Sequence, residues 1–125
     1  MIAGVGIDIV EVKRMHKWLG NPKLLERYFH SQELETASLR GNSAALFLAA
    51  RFASKEAFGK ALGTGLANLI LKDILVINKA NGKPEMQLFG TALKAMQESG
   101  ANKVHVSLTH EKNNAVAMVI LEGEK

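Results

Sequence analysis

Residues 2–12, IAGVGIDIVEV, are apolar and β-branched and predict an opening strand. Strand side chains alternate, so Val5, Ile7 and Ile9 share one face while Gly6, Asp8 and Val10 share the other. Residues 13–20 read as a short helix ending at Gly20, and Asn21-Pro22 starts a second, with Leu24, Leu25 and Tyr28 at helical spacing. Ser31 predicts the cap of a third helix, running to about Leu39. The longest helical pattern begins near Asn42 or Ser43 and runs to about Leu62. It is apolar around nearly its whole circumference, which marks a central helix, and Gly63 supplies its stop. Strands follow at Asp73–Asn78 and Glu85–Phe89, flanking the turn signal Asn81-Gly82. A helix at Thr91–Ser99 and two further strands at Val104–His110 and Ala115–Glu122 complete the pattern. The expectation is one α+β domain over residues 1–125, a mainly antiparallel sheet packed against a long central helix.

With 125 residues and 47% apolar composition, the chain has the size and make-up of one globular core. No apolar run approaches the ~20 residues a membrane-spanning helix needs, and no charged segment precedes the first apolar stretch. Zero cysteines exclude disulfides, thiolate metal sites and a cysteine nucleophile. These features predict a soluble, cytoplasmic protein that does not engage a membrane. The net charge of +4 favours anionic partners. Lys13, Arg14, His16, Lys17, Lys23 and Arg27 crowd between residues 13 and 27, offset only by Glu26. A nucleic-acid-binding module is the rival class, but one Trp, one Tyr and no recognisable helix-turn-helix argue for no nucleic-acid partner.

Asp8 is an acid between closely spaced apolar residues, a placement that desolvates the carboxylate and calls for a cation; a strand-end acid in water is the alternative. Glu56 and Lys60 lie four apart on the long helix, where a surface ion pair worth ~0.2–0.5 kcal/mol is the ordinary reading. Phe52, Ala53, Ala57, Phe58 and Ala61 leave that pair little polar surface to lie on, so lining a cleft is the second reading. Gly63-Thr64-Gly65 could bring backbone N–H groups close to phosphate, or simply end the helix. His105, Ser107, Thr109 and His110 lack the motifs of a serine triad or zinc helix and read as polar positions on a strand. Two carboxylates among cations suit magnesium, which takes one or two carboxylates with phosphate and water, better than zinc.

Gly4–Arg14 (GVGIDIVEVKR) and Arg51–Gly65 (RFASKEAFGKALGTG) resemble the two signature segments of the 4′-phosphopantetheinyl transferase family, in its holo-[acyl-carrier-protein] synthase branch. The turn NGKP at 81–84 and the segment VSLTHEKNNAVAMVI follow in the same order. The resemblance implies the fold of that family and transfer of 4′-phosphopantetheine from coenzyme A to a serine of apo acyl carrier protein, within fatty acid biosynthesis. It implies Asp8 and Glu56 as magnesium ligands, with Glu56 and Lys60 as the catalytic pair beside the reacting phosphate. Gly63, Thr64, Gly65, Asn81, Gly82, Lys83, Pro84 and His105 match its nucleotide-binding segments. It also implies a homotrimer with active sites between subunits, and the basic run near Arg14 suits docking of the acidic carrier protein. Thr109 stands where many relatives carry serine.

Overall fold

A computed structural model describes residues 1–124. The chain runs β1 (Ile2–Glu11), α1 (Val12–Leu19), α2 (Pro22–Tyr28), α3 (Ser31–Ser38), α4 (Ala44–Leu62), β2 (Ile74–Asn78), β3 (Pro84–Leu88), α5 (Gly90–Glu98), β4 (Lys103–His110) and β5 (Asn114–Glu122). It is the α+β arrangement the pattern predicts, with every strand pair antiparallel. The strands divide into a three-stranded sheet of order β1-β5-β4 and a separate β2-β3 hairpin.

Helix α4 forms the centre. Its Ala- and Phe-rich sequence lets it pack on all sides: Leu48, Ala49, Ala53, Ala57 and Phe58 are fully buried, and Lys60 is the one exposed residue along its length. Gly63 ends it in the left-handed conformation at φ 84°, which glycine adopts without a Cβ penalty. Strand β1 lies directly on this helix because Gly4 and Gly6 have no side chain. A Cβ on Gly6 would stand 2.0 Å from the Ala57 carbonyl oxygen, and one on Gly4 would stand 2.0 Å from that of Ala61. Alternation along β1 then follows the expectation, with Gly6 and Val10 buried, but it leaves Val5, Ile7 and Ile9 at 54%, 59% and 62% exposure. In the isolated chain the apolar face of β1 therefore looks outward, because the glycine face has taken the helix contact.

Two helix starts differ from expectation. His30, not Ser31, caps α3: its Nδ1 accepts from Gln32 N–H at 3.0 Å, while Glu33 Oε1 accepts from His30 N–H at 2.9 Å. Glu33 at the third helical position closes this reciprocal box and draws Ser31 into the helix. A 3₁₀ turn at Gly41–Ser43 delays the start of α4 to Ala44. Trp18 stacks on Tyr28 with ring centres 5.3 Å apart and meets Phe52 edge-on at 5.0 Å, fastening α1 and α2 to α4.

Candidate active site

The glycine contact decides where Asp8 goes. On the inward face of β1 it follows Gly4 and Gly6, so its carboxylate emerges beside α4 where the strand leaves the helix surface. Its side chain keeps only 15% of its exposure, and Lys60 Nζ donates to Oδ1 at 2.8 Å. The same ammonium donates to the Ile7 carbonyl at 3.2 Å. Lys60 thus crosses from helix to strand, and the hydrogen bond to Asp8, followed by that carboxylate's charge, raises its pKa above the usual lysine value.

Glu56 lies one turn back on α4, partly buried. Burial raises its pKa and the nearby charge of Asp8 raises it further, while Arg14 and Lys60 pull the other way. The two acids are therefore within electrostatic reach of each other, and the charge of Asp8 disfavours ionisation of Glu56. The surface-pair reading of Glu56 and Lys60 does not describe this place, since Lys60 bonds to Asp8 and all three groups share one pocket of charge. Among the described residues no cluster of three or more His, Cys, Asp or Glu side chains could hold a metal. The donor set is a pair of carboxylates, too few for a zinc site and suited to a hard cation that draws further oxygen ligands from phosphate and water. The mutual repulsion of Asp8 and Glu56 is what such a cation would relieve.

Arg14 projects from α1 with its guanidinium 5.0 Å from the ring centres of both Trp18 and Phe52. It is exposed, yet its charge is felt at Glu56, so the basic run on α1 begins at the edge of the acid pair.

The other sequence-selected residues do not join this group within one chain. His105 lies on the outer face of β4, with Nε2 2.9 Å from Glu122 Oε1. With Lys79, Lys83 and Pro84 it lines a cleft of about 310 Å³ between the β2-β3 hairpin and the sheet edge. Asn81 and Gly82 form the hairpin turn: Asn81 Oδ1 accepts from Lys83 N–H at 3.0 Å, and Gly82 takes φ 86°. Asp8 pairs across the sheet with Ala117 and then Leu108 on the inner face, whereas His105 and Ser107 face outward. The sheet thus separates the acid pair from the Lys83–His105 cleft. Gly63–Gly65 forms a third location at the end of α4. Gly65 N–H donates back to the Gly59 carbonyl at 3.0 Å, and Thr64 faces a cleft of about 560 Å³ with Thr91, Lys94 and Glu98 of α5.

Buried charges on α4 escaped the sequence reading. Lys55 and Glu33 form an ion pair of 2.7 Å with both side chains at 0% exposure. Arg51 packs its guanidinium 4.0 Å from the Phe47 ring centre and donates from Nη2 to Asn78 Oδ1 at 3.1 Å. Its Nε has no hydrogen-bond partner, and burial, opposed by Glu33, lowers its pKa to about 10. With Arg40 it lines a cleft of about 310 Å³ beside Asn78, on the opposite flank of the hairpin from His105. The available signal was the one noticed for Glu56: a charge on an all-apolar helix needs a specific partner.

Comparison with known proteins supplies the class. The sequence matches the 4′-phosphopantetheinyl transferase superfamily over residues 4–119, and the chain belongs to that superfamily. Within it, the chain is similar to holo-[acyl-carrier-protein] synthases along its whole length. That of Treponema denticola is 59% identical, over 98% of this chain and 100% of the relative. That of Treponema pallidum is 49% identical, over 99% of this chain and 98% of the relative. The crystal structure of the synthase from Neisseria meningitidis superposes with a TM-score of 0.87 at 34% identity, covering 98% of this chain and 99% of that one. The Bacillus anthracis synthase, solved in complex with CoA (3′,5′-ADP), superposes with a TM-score of 0.82 at 39% identity, covering 99% of both chains.

Proposed function

We propose that this chain transfers the 4′-phosphopantetheine group of coenzyme A to a serine of apo acyl carrier protein. The observation that carries the proposal is the meeting of Asp8, Glu56 and Lys60 at the contact of β1 with α4, in a chain similar from end to end to holo-[acyl-carrier-protein] synthases. The serine oxygen attacks the β-phosphorus of coenzyme A. The bond from that phosphorus to the bridging oxygen breaks, and adenosine 3′,5′-bisphosphate leaves with the electron pair. Such transfer needs positioning and charge stabilisation rather than covalent help from the protein.

Asp8 and Glu56 would hold a magnesium ion, which when bound supplies positive charge to the pyrophosphate. Lys60, kept protonated by Asp8, directs a further positive charge into the site. The serine proton passes to Glu56 or to water at the site.

The same proposal includes a homotrimer in which a neighbour supplies the nucleotide-binding half of each site. Two observations support it. The acid pair and the Lys83–His105 cleft lie on opposite faces of the sheet, so one chain does not enclose a coenzyme A molecule with both. The outer face also presents Val5, Ile7, Ile9 and Met118 to solvent, an apolar strip of the kind that marks an interface. The carrier protein would dock on the basic face of α1 that begins at Arg14. No helix among the described residues is long and apolar enough to cross a membrane. A cytoplasmic setting in fatty acid biosynthesis is part of the proposal, and a sequence without cysteine is at home in a reducing compartment.

The test is to incubate the protein with coenzyme A, magnesium and apo acyl carrier protein and weigh the carrier by mass spectrometry. Addition of one phosphopantetheine is expected, and its loss on chelation of the metal. An unmodified carrier would refute the proposal.

A further inference from the structure

The buried pair Glu33–Lys55 does not touch the acid site, and a fold with an Ala- and Phe-lined centre has no packing need for it. Removing two charges from water is expensive, and apolar residues of the same size serve as well or better for stability alone. What the pair does is visible in its partners. Glu33 Oε1 accepts from Lys55 Nζ at 2.7 Å and from His30 N–H at 2.9 Å. Glu33 Oε2 accepts from Val76 N–H at 3.0 Å, on the edge of β2 that β3 leaves unpaired. Lys55 Nζ donates to the carbonyls of Leu71 and Ile74, at 3.0 and 2.6 Å. Three of these five bonds end on the backbone of residues 71–76, the segment that enters the hairpin. One turn away along α4, Arg51 grips Asn78 at the far end of β2.

The hairpin is not hydrogen-bonded into the three-stranded sheet. Its place relative to α4 is therefore set by these polar ties and by the packing of Ile74, Val76 and Met86 into the core. Apolar contacts tolerate sliding, whereas a carboxylate on one N–H and an ammonium on two carbonyls fix a register. The hairpin turn carries Lys83 and Pro84 to the cleft beside His105. Lys55 also neighbours Glu56 in sequence, so the tie runs from the helix that presents the acid site to the hairpin that presents the nucleotide cleft.

We infer that Glu33 is a positioning residue for coenzyme A: through Lys55 and the Val76 amide it fixes the β2-β3 hairpin on α4, and so fixes Lys83 against His105. This inference rests on the proposed function, in which that cleft receives the nucleotide.

Three proteins separate the inference from the reading beneath it: Glu33→Asp, Lys83→Ala and the unaltered chain. Glu33→Asp keeps the charge but shortens by one methylene the reach of the carboxylate to both Lys55 and the Val76 amide. Steady-state rates are measured with coenzyme A and carrier protein varied in turn, beside the melting temperature of each protein. For Glu33→Asp the KM for coenzyme A is expected to rise about fivefold, while kcat and the KM for carrier protein stay within about twofold. A merely structural role would lower activity in proportion to the folded fraction and leave the coenzyme A KM unmoved, and that result would overturn the inference. If Lys83→Ala raises the coenzyme A KM and Glu33→Asp does not, the positioning role alone fails. If Lys83→Ala has no effect, the nucleotide reading of the cleft fails and takes the inference with it. Should Glu33→Asp not fold, hydrogen exchange in the unaltered protein decides: coenzyme A is expected to slow the Val76 amide about tenfold, and an unchanged rate would refute the role.

Discussion

The acid site and the hairpin cleft differ in how they are held. Asp8 and Lys60 meet because a strand with two glycines lies in backbone contact with a helix, a geometry with no slack: a single Cβ at Gly6 would overlap the Ala57 oxygen. The hairpin cleft is assembled from a two-stranded ribbon tied to the core by a few polar bonds, with Lys79 and Lys83 at its open end. One region is set by backbone packing and the other by side-chain reach. Charge follows the same division. The acid site brings two carboxylates together beside Lys60 and Arg14, while the hairpin flanks carry Arg40, Arg51, Lys79 and Lys83. An acid pair held by backbone contact suits a cation and the reacting phosphate; clefts lined with lysine and arginine suit the remainder of a polyanionic substrate.

The largest effects belong to the acid site. Asp8→Ala and Glu56→Ala should each lower kcat on the order of 1000-fold. The fold should survive, since each removes a group that is costly to desolvate. Circular dichroism and a carrier-modification assay check both halves, and near-normal turnover in either variant would remove that residue from the proposed metal site.

Gly6→Ala tests the geometric half of the contrast. With backbone atoms 2.0 and 2.6 Å from the new Cβ, β1 must lift from α4. A loss of about 3 kcal/mol is expected, read as a lowered midpoint in denaturant. Part of the activity should go with it even where the protein stays folded, because Asp8 moves with the strand. An unchanged midpoint would show that the strand–helix contact is looser than described.

A smaller effect tests whether the two regions cooperate across chains. Asp8→Ala keeps the hairpin cleft, and the double variant Lys83→Ala/His105→Ala keeps the acid site. Refolded together in equal amounts, randomly mixed subunits should rebuild roughly a quarter of the sites from two intact halves. Recovery well above the sum of the separate activities is the expected result. No recovery would mean that both halves serve the same chain, against the placement of His105 and Asp8 on opposite faces of the sheet.

How much of this was legible in the sequence follows the same division. The strand and helix order could be read because α4 is long and apolar and the hairpin carries Asn81-Gly82. The approach of Asp8 to Lys60, 52 residues further along the chain, could not be read from spacing, since it depends on Gly4 and Gly6 fitting against the carbonyls of Ala61 and Ala57. The alternation of β1 was correct, but which face met the core was not evident: Val5, Ile7 and Ile9 look like the buried side until Gly4 and Gly6 are seen to touch α4. Lys55 and Arg51 stayed hidden for a different reason. Their partners, Glu33 on α3 and Asn78 on β2, come from elements whose packing no local pattern reveals.

The smallest effect concerns the basic face of α1, and the structure changes which residue tests it. Arg14 touches Trp18 and Phe52 and acts on Glu56, so reversing its charge would disturb the acid site as well as any docking surface. Lys17 sits on the same helix, exposed, with no such contact. Lys17→Glu should therefore slow association with the acidic carrier protein about threefold at low salt and leave the coenzyme A KM unchanged. The difference should fade as ionic strength rises and the screening length falls below ~10 Å. Arg14→Gln, by contrast, should lower kcat too, because Glu56 loses a neighbour that favours its charged form. A salt-independent Lys17→Glu would place the carrier elsewhere, and an Arg14→Gln confined to carrier KM would detach that arginine from the acid pair.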